Sequence, residues 1–243
     1  MRKRDINIRT EDGVCKAGLF TGVAAPKAGV ILYMDAFGPR RALDQMAERL
    51  AGAAYAVLVP DLFYRHGAYG PYDAKTAFAS DSTAKEIKGM MAATTQAMTQ
   101  ADTAHFLKVF DDDRLTGMVG TTGYCMGGPR ALNAAAAHPG RIAAAASFHG
   151  GNLAGDAADT PASNAGRIKA RVYVGSAGVD RSFPPEQSAK LAQALRVAEI
   201  DHVIENYTGV EHGWCVPDNG VYDHAGAERH WKRLLEFFAE TLG

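Results

Sequence analysis

Apolar residues first alternate with polar ones, then gather into continuous runs separated by stretches of helical period. Residues 5–10 and 15–21 flank Glu11-Asp12-Gly13 and predict an N-terminal hairpin. Residues 30–34, Val-Ile-Leu-Tyr-Met, form an unbroken apolar run, as expected of a strand buried on both faces. Residues 55–59 repeat it and stop at Pro60-Asp61. Between them, Leu43, Met46, Ala47 and Leu50 fall at helical spacing within 40–51. Residues 61–81 mix aromatics with Gly and Pro without a period and read as a loop excursion or lid. Residues 83–111 are helical with a break near 94–99. The pattern then predicts strands at 115–119, 142–148, 170–175 and 202–207. Helices are predicted at 130–137, 184–197 and 222–241, and 150–165 is a loop of small residues. Such alternation predicts an α/β fold with a mostly parallel sheet, helices on both faces and an antiparallel N-terminal hairpin.

At 243 residues and 47% hydrophobic content, the chain fits a single domain spanning 1–243 with a sizeable core. A formal net charge of −1 argues against a nucleic-acid partner or an anionic membrane surface. No apolar run approaches the ~20 residues that span a bilayer, and no secretory apolar region follows the basic start. The three cysteines are widely spaced, with neither a disulfide framework nor a metal-ligand pattern. A reduced, cytoplasmic setting follows, with no cofactor or metal, and a monomer or homodimer as the assembly.

The chemistry concentrates at Gly123-Tyr124-Cys125-Met126-Gly127-Gly128. This has the spacing of a nucleophile elbow with cysteine at its centre, between a strand and a helix. The small neighbours let the backbone turn sharply, and the helix N-terminus that follows favours a thiolate. Ligands of an open α/β sheet gather at the carboxyl ends of its strands. Polar residues in such places include Asp35, Asp61, His149, Asp180 and His212. In this architecture a triad runs in the order nucleophile, acid, histidine, which Cys125, Asp180 and His212 satisfy. His212 would take the thiol proton, and Asp180 would orient the imidazole and stabilise its charged form. The backbone N–H of Met126 supplies one oxyanion donor and that of Ala36 or Phe37 the second. His149 competes as the histidine but better suits the pocket wall or a bond to a neighbouring loop. Phe37, Phe63, Tyr64 and Trp214, with Tyr69 and Tyr72, are expected to line an aromatic pocket, with core packing as the alternative for Phe37 and Phe63.

These segments resemble the dienelactone hydrolase family of α/β-hydrolases along nearly the whole chain. The resemblance rests on Met34-Asp35-Ala36-Phe37-Gly38, Val59-Pro60-Asp61-Leu62-Phe63, the elbow, and Glu211-His212-Gly213. It implies Cys125 as nucleophile, Asp180 as acid, His212 as base, and the N–H groups of Met126 and Ala36 as the oxyanion hole. It also implies hydrolysis of a small ester or lactone through a thioacyl enzyme. Two positions depart from the family pattern. Asp35 stands where the family has a nucleophile-modulating glutamate. It is one methylene shorter, so contact with the thiol demands a shifted loop or a bridging water. No arginine follows His212, and Arg65, Lys75, Lys85 and Lys88 occupy no matching place for a carboxylate clamp. Neutral lactones or esters are therefore the expected substrates. A thioesterase or acyl transferase on the same triad is the alternative enzyme, and a ligand-binding or redox-sensing protein the alternative class. Cys215, three residues past His212, is expected to pack beneath its loop away from Cys125, with a role as resolving thiol for an oxidised Cys125 as the alternative.

Overall fold

The computed structural model describes all 243 residues. Strands β1 (Arg2–Thr10) and β2 (Gly13–Thr21) pair as the predicted hairpin, with Thr10 opposite Gly13. Then come β3 (Ala28–Tyr33), α1 (Arg41–Gly52) and β4 (Tyr55–Pro60). Two short 3-10 turns, Tyr64–His66 and Ala77–Ala79, interrupt an otherwise irregular stretch before α2 (Asp81–Ala93). The predicted break separates α2 from α3 (Gln96–Asp112), where the Thr95 hydroxyl accepts the Met98 N–H at 3.2 Å. The chain continues through β5 (Val119–Tyr124), α4 (Gly127–Ala137), β6 (Ile142–Phe148), the short α5 (Pro161–Asn164), β7 (Arg171–Val179), α6 (Pro185–Val197), β8 (His202–Glu211) and α7 (His224–Leu242).

The eight strands form one sheet in the order β1-β2-β4-β3-β5-β6-β7-β8. The hairpin joins antiparallel through β2 to β4, and every pair from β4 to β8 is parallel. Every residue of β3, β4 and β5 is buried, which explains their lack of alternation. Helix α1 buries the predicted stripe of Leu43, Met46, Ala47 and Leu50. Helix α4 is buried from Gly127 to Ala136. It is small-residue-rich because it is enclosed on all sides. After β3 the chain moves to one side, to β4, and later returns on the other side as β5. The crevice at this switch point lies between the carboxyl ends of β3 and β5, where an open α/β sheet receives its ligands.

The strand predicted at 115–119 is displaced. Strand β5 begins at Val119 and runs through Gly120-Thr121-Thr122-Gly123. The Thr121 hydroxyl donates to the Ala131 carbonyl at 3.0 Å, so the polar side chain is absorbed by the helix above it.

Candidate active site

The elbow is built by close contact. A Cβ on Gly123 would stand 2.0 Å from the Gly127 carbonyl oxygen, and one on Gly127 would stand 2.3 Å from that of Tyr33. Only hydrogen fits at either place, so the turn can press α4 against β3. Cys125 between them takes φ +52°, a left-handed conformation that a non-glycine residue rarely adopts. Its N–H is shared between the Phe148 carbonyl at 3.2 Å and His149 Nδ1 at 3.0 Å.

Asp180, at the end of β7, accepts from His212 Nδ1 through Oδ2 at 2.8 Å. Its other oxygen accepts the Ser182 N–H at 2.8 Å and the Ser182 hydroxyl at 2.6 Å. The carboxylate is almost wholly buried, yet these donors overcome the cost of burial and hold its pKa below the usual carboxylate value. Burial likewise opposes charge on His212, but the Asp180 hydrogen bond and the adjoining Cys125 raise its pKa to about 10. At neutral pH the arrangement therefore favours an imidazolium beside the sulfur. Cys125 and His212 open on one cavity of about 270 Å³, with Met126, Gly151, Asn152 and Ser182 in its wall. The Met126 and Ala36 N–H groups have no acceptor within the protein. A larger cavity, about 740 Å³, lies between the hairpin and the 67–72 stretch and contains no triad member. The smaller one is the candidate site because the reactive groups converge there. No group of three His, Cys, Asp or Glu is arranged to hold a metal.

A model of the dienelactone hydrolase family matches residues 15–242. The chain belongs to the dienelactone hydrolase family. A Salmonella typhi protein named "Putative carboxymethylenebutenolidase" is 30% identical, with 97% of this chain and 92% of that protein aligned. The carboxymethylenebutenolidase of Rhodococcus opacus is 28% identical over 88% of this chain and 81% of its own length. The fold is shared with a Klebsiella pneumoniae crystal structure described as a "Putative Dienelactone Hydrolase", at TM-score 0.83 and 23% identity over 98% of both chains. Family membership makes this chain a hydrolase of ester or lactone bonds.

Several expected site residues lie elsewhere. Both Asp35 oxygens are held by Arg40, at 2.7 and 2.9 Å, and one also accepts the Phe37 N–H at 3.0 Å. Arg40 in turn grips Asp218 at 2.7 and 2.8 Å, tying the loop after β3 to the loop after His212. Asp35 thus makes no hydrogen bond to Cys125: the shorter side chain is spent on Arg40. The thiol it does influence is Cys215, which burial, reinforced by Asp35, pushes well above its ordinary range. Cys215 is fully buried and does not reach the cavity, and burial likewise pushes the Cys15 thiol up.

None of the expected pocket residues lines the cavity at Cys125, and Tyr69 and Tyr72 line the larger cavity instead. Phe37 faces the larger cavity and packs on Phe78. Phe63 is buried against Tyr69, and the Tyr64 hydroxyl bonds Thr10 and Asp102. Trp214 packs at a tilt against Tyr207 in the core, and His149 is buried behind the elbow. Arg65 is also committed, to Asp102 and Asp12.

The pocket does contain an arginine that sequence reasoning missed. Arg130, in the first turns of α4, lines the cavity and is only 5% exposed. Its Nη2 donates to the Thr94 carbonyl at 2.5 Å, while Nε and Nη1 have no partner. Gln96 Oε1, also in the cavity wall, is unpartnered too. Burial lowers the Arg130 pKa to about 10 against the opposing pull of Asp159, so the guanidinium stays charged at neutral pH. The signal was present: one arginine in the otherwise small and apolar run Gly127-Gly128-Pro129-Arg130-Ala131-Leu132.

Proposed function

We propose that the chain hydrolyses a small ester or lactone through a thioester on Cys125. The supporting observation is that Cys125, at a strained elbow, and His212, held by Asp180 at 2.8 Å, open on the same cavity. The Cys125 thiolate attacks the carbonyl carbon, and the Met126 and Ala36 N–H groups receive the developing oxyanion. As the tetrahedral adduct collapses, the C–O bond breaks and His212 gives its proton to the leaving alkoxide. Neutral His212 then takes a proton from water as the hydroxyl adds to the thioester. Collapse of that adduct releases the carboxylic acid and returns the thiolate to its imidazolium partner. Asp180 keeps Nδ1 protonated throughout, which leaves Nε2 for the transfer.

The substrate proposed is one bearing a carboxylate. A buried, charged guanidinium on the cavity wall, bonded within the protein only to a backbone carbonyl, suits a carboxylate. The Rhodococcus opacus relative is named for a substrate with a carboxymethylene group, which agrees. This reverses the preference for neutral lactones expected from the residues after His212. Residues 1–243 act as one domain in this proposal, with segment 61–81 over the larger cavity. A reduced compartment suits the free thiol. No helix is long and apolar enough to cross a membrane.

The test is p-nitrophenyl acetate with the wild type and Cys125→Ala. The wild type should release a burst of p-nitrophenol, carry one acetyl group by intact mass, and then turn over steadily. Cys125→Ala should lose both phases with its melting temperature nearly unchanged. Retention of a tenth of the activity would sink the assignment. Iodoacetamide should label Cys125 alone, since Cys15 and Cys215 are buried.

A further inference from the structure

The elbow has a second histidine whose position the triad does not explain. His149, directly after β6, is itself left-handed, at φ +39°, although it is neither glycine nor in a tight hairpin. Its own N–H is tied to the Gly175 carbonyl at 2.9 Å, so the backbone is anchored while the side chain turns back under the elbow. There Nδ1 accepts the Cys125 N–H at 3.0 Å. An acceptor cannot also carry the proton at that nitrogen, so the neutral ring must be the Nε2–H tautomer. The ring is 1% exposed, and Nε2 finds no hydrogen-bonding partner. His149 meets the catalytic imidazole edge to face, with ring centroids 4.8 Å apart, and Trp214 in the same manner at 5.4 Å.

We propose that His149 is a positioning residue for the nucleophile: its Nδ1 lone pair holds the Cys125 amide in the left-handed turn and locks the ring as an uncharged wall beside His212. The inference rests on Cys125 being the nucleophile. Two consequences follow from the geometry. First, the sulfur's direction depends on the backbone of Cys125, and that backbone is over-determined by two acceptors rather than one. The Phe148 carbonyl contact is the longer of the two, so His149 is the tighter restraint. A misplacement of ~1 Å at a reacting atom can cost about 100-fold in rate. Second, the catalytic cycle passes through an imidazolium at His212. A second cation 4.8 Å away would oppose it. The groups facing His149 are His212 from the loop after β8, His230 from α7 and the Tyr124 ring from β5, and none is an acid that would draw a proton onto it. Burial, with His212 and His230, holds its pKa well below the ordinary histidine value.

The test separates acceptor from ring. His149→Phe keeps an aromatic ring against His212 and Trp214 but removes the lone pair. His149→Asn removes the ring but offers Oδ1 as an acceptor, and asparagine tolerates the left-handed conformation. In His149→Phe, kcat and the second-order rate of Cys125 alkylation should fall together by about 10- to 100-fold, with KM changed by less than about 3-fold. His149→Asn should recover most of both rates. A role in packing alone predicts the opposite ranking, with phenylalanine active and asparagine impaired, and that ranking overturns the proposal. Nitrogen-15 NMR of the wild-type imidazoles needs no variant to fold. It should show His149 as Nε2–H and unchanged from about pH 5 to 8. An Nδ1–H tautomer, or titration inside that range, also overturns it. If Cys125→Ala stays active, the proposed nucleophile fails; if Cys125→Ala is dead while His149→Phe matches the wild type, only the positioning role fails.

Discussion

Arg130→Met removes the cationic fork from the cavity while keeping a stem of similar length. In the free enzyme Arg130 makes one hydrogen bond, to the Thr94 carbonyl, and its buried Nε and Nη1 have no partner. A carboxylate drawn to the guanidinium from the cavity gains a charge-assisted interaction. A hydrogen bond to a charged group contributes ~1.5–3 kcal/mol, and with both partners charged the upper figure, about 3 kcal/mol, applies. At about 1.4 kcal/mol per tenfold, this corresponds to roughly 150-fold in kcat/KM. The assay uses two lactones that differ only in whether the carboxylate is free or methyl-esterified, each with wild type and Arg130→Met. The free acid should lose about two orders of magnitude. The methyl ester should change by less than about 3-fold, since it offers the fork no charge. Arg130→Lys, with charge but no fork, should fall between. Stability should drop by only about 1 kcal/mol, because the substitution removes one hydrogen bond and also a buried, under-partnered charge. An equal loss on both lactones, or no loss on the acid, refutes carboxylate recognition by Arg130.

His212→Ala should lower kcat/KM by about three to four orders of magnitude and Asp180→Asn by somewhat less, because the triad acts as a unit; steady-state kinetics with an ester within tenfold of wild type contradict it. The His212 pKa rises from 6.5 to about 10 on folding, so its stabilising contribution is complete below about pH 6.5 and vanishes as pH climbs through 10. The melting-temperature gap between wild type and His212→Gln should therefore narrow from pH 7 to 10, and a widening gap is the contrary result. Arg40→Met should destabilise the fold by about 3 kcal/mol in urea, since it strands the buried Asp35 carboxylate, and adding Asp35→Asn should recover most of the loss. Two additive losses would speak against the coupling.

The sequence by itself determined the elements whose physics is local or periodic. The runs at 30–34 and 55–59 pointed to strands buried on both faces, and Leu43, Met46, Ala47 and Leu50 to the core face of a helix, as observed. The placement of the proposed triad was equally legible, because Cys125, Asp180 and His212 each follow a strand, and the fold brings His212 to Asp180 and to the cavity of Cys125. Where the elbow strand began was not legible. Gly120-Thr121-Thr122-Gly123 has the composition of a turn, and it becomes a strand because tertiary contacts demand small or absorbable side chains there. A Cβ on Gly120 would stand 2.8 Å from Leu242 of the last helix, a contact over more than a hundred residues of chain. Side-chain fate was likewise a tertiary matter. Asp35 follows the strand that pairs with the elbow strand, but Arg40, itself held by Asp218, takes both of its oxygens. Aromatic residues next to strand ends suggested a pocket, but packing against Phe78, Tyr69 and Tyr207 placed Phe37, Phe63 and Trp214 elsewhere. Arg130 shows the reverse case. Its helix reads as apolar filler, and only the assembled crevice leaves its guanidinium buried, charged and under-partnered in the wall of the sulfur's cavity. Periodicity reports which face of an element is buried; it carries no information about which partner reaches a buried polar group, because that depends on segments distant in sequence.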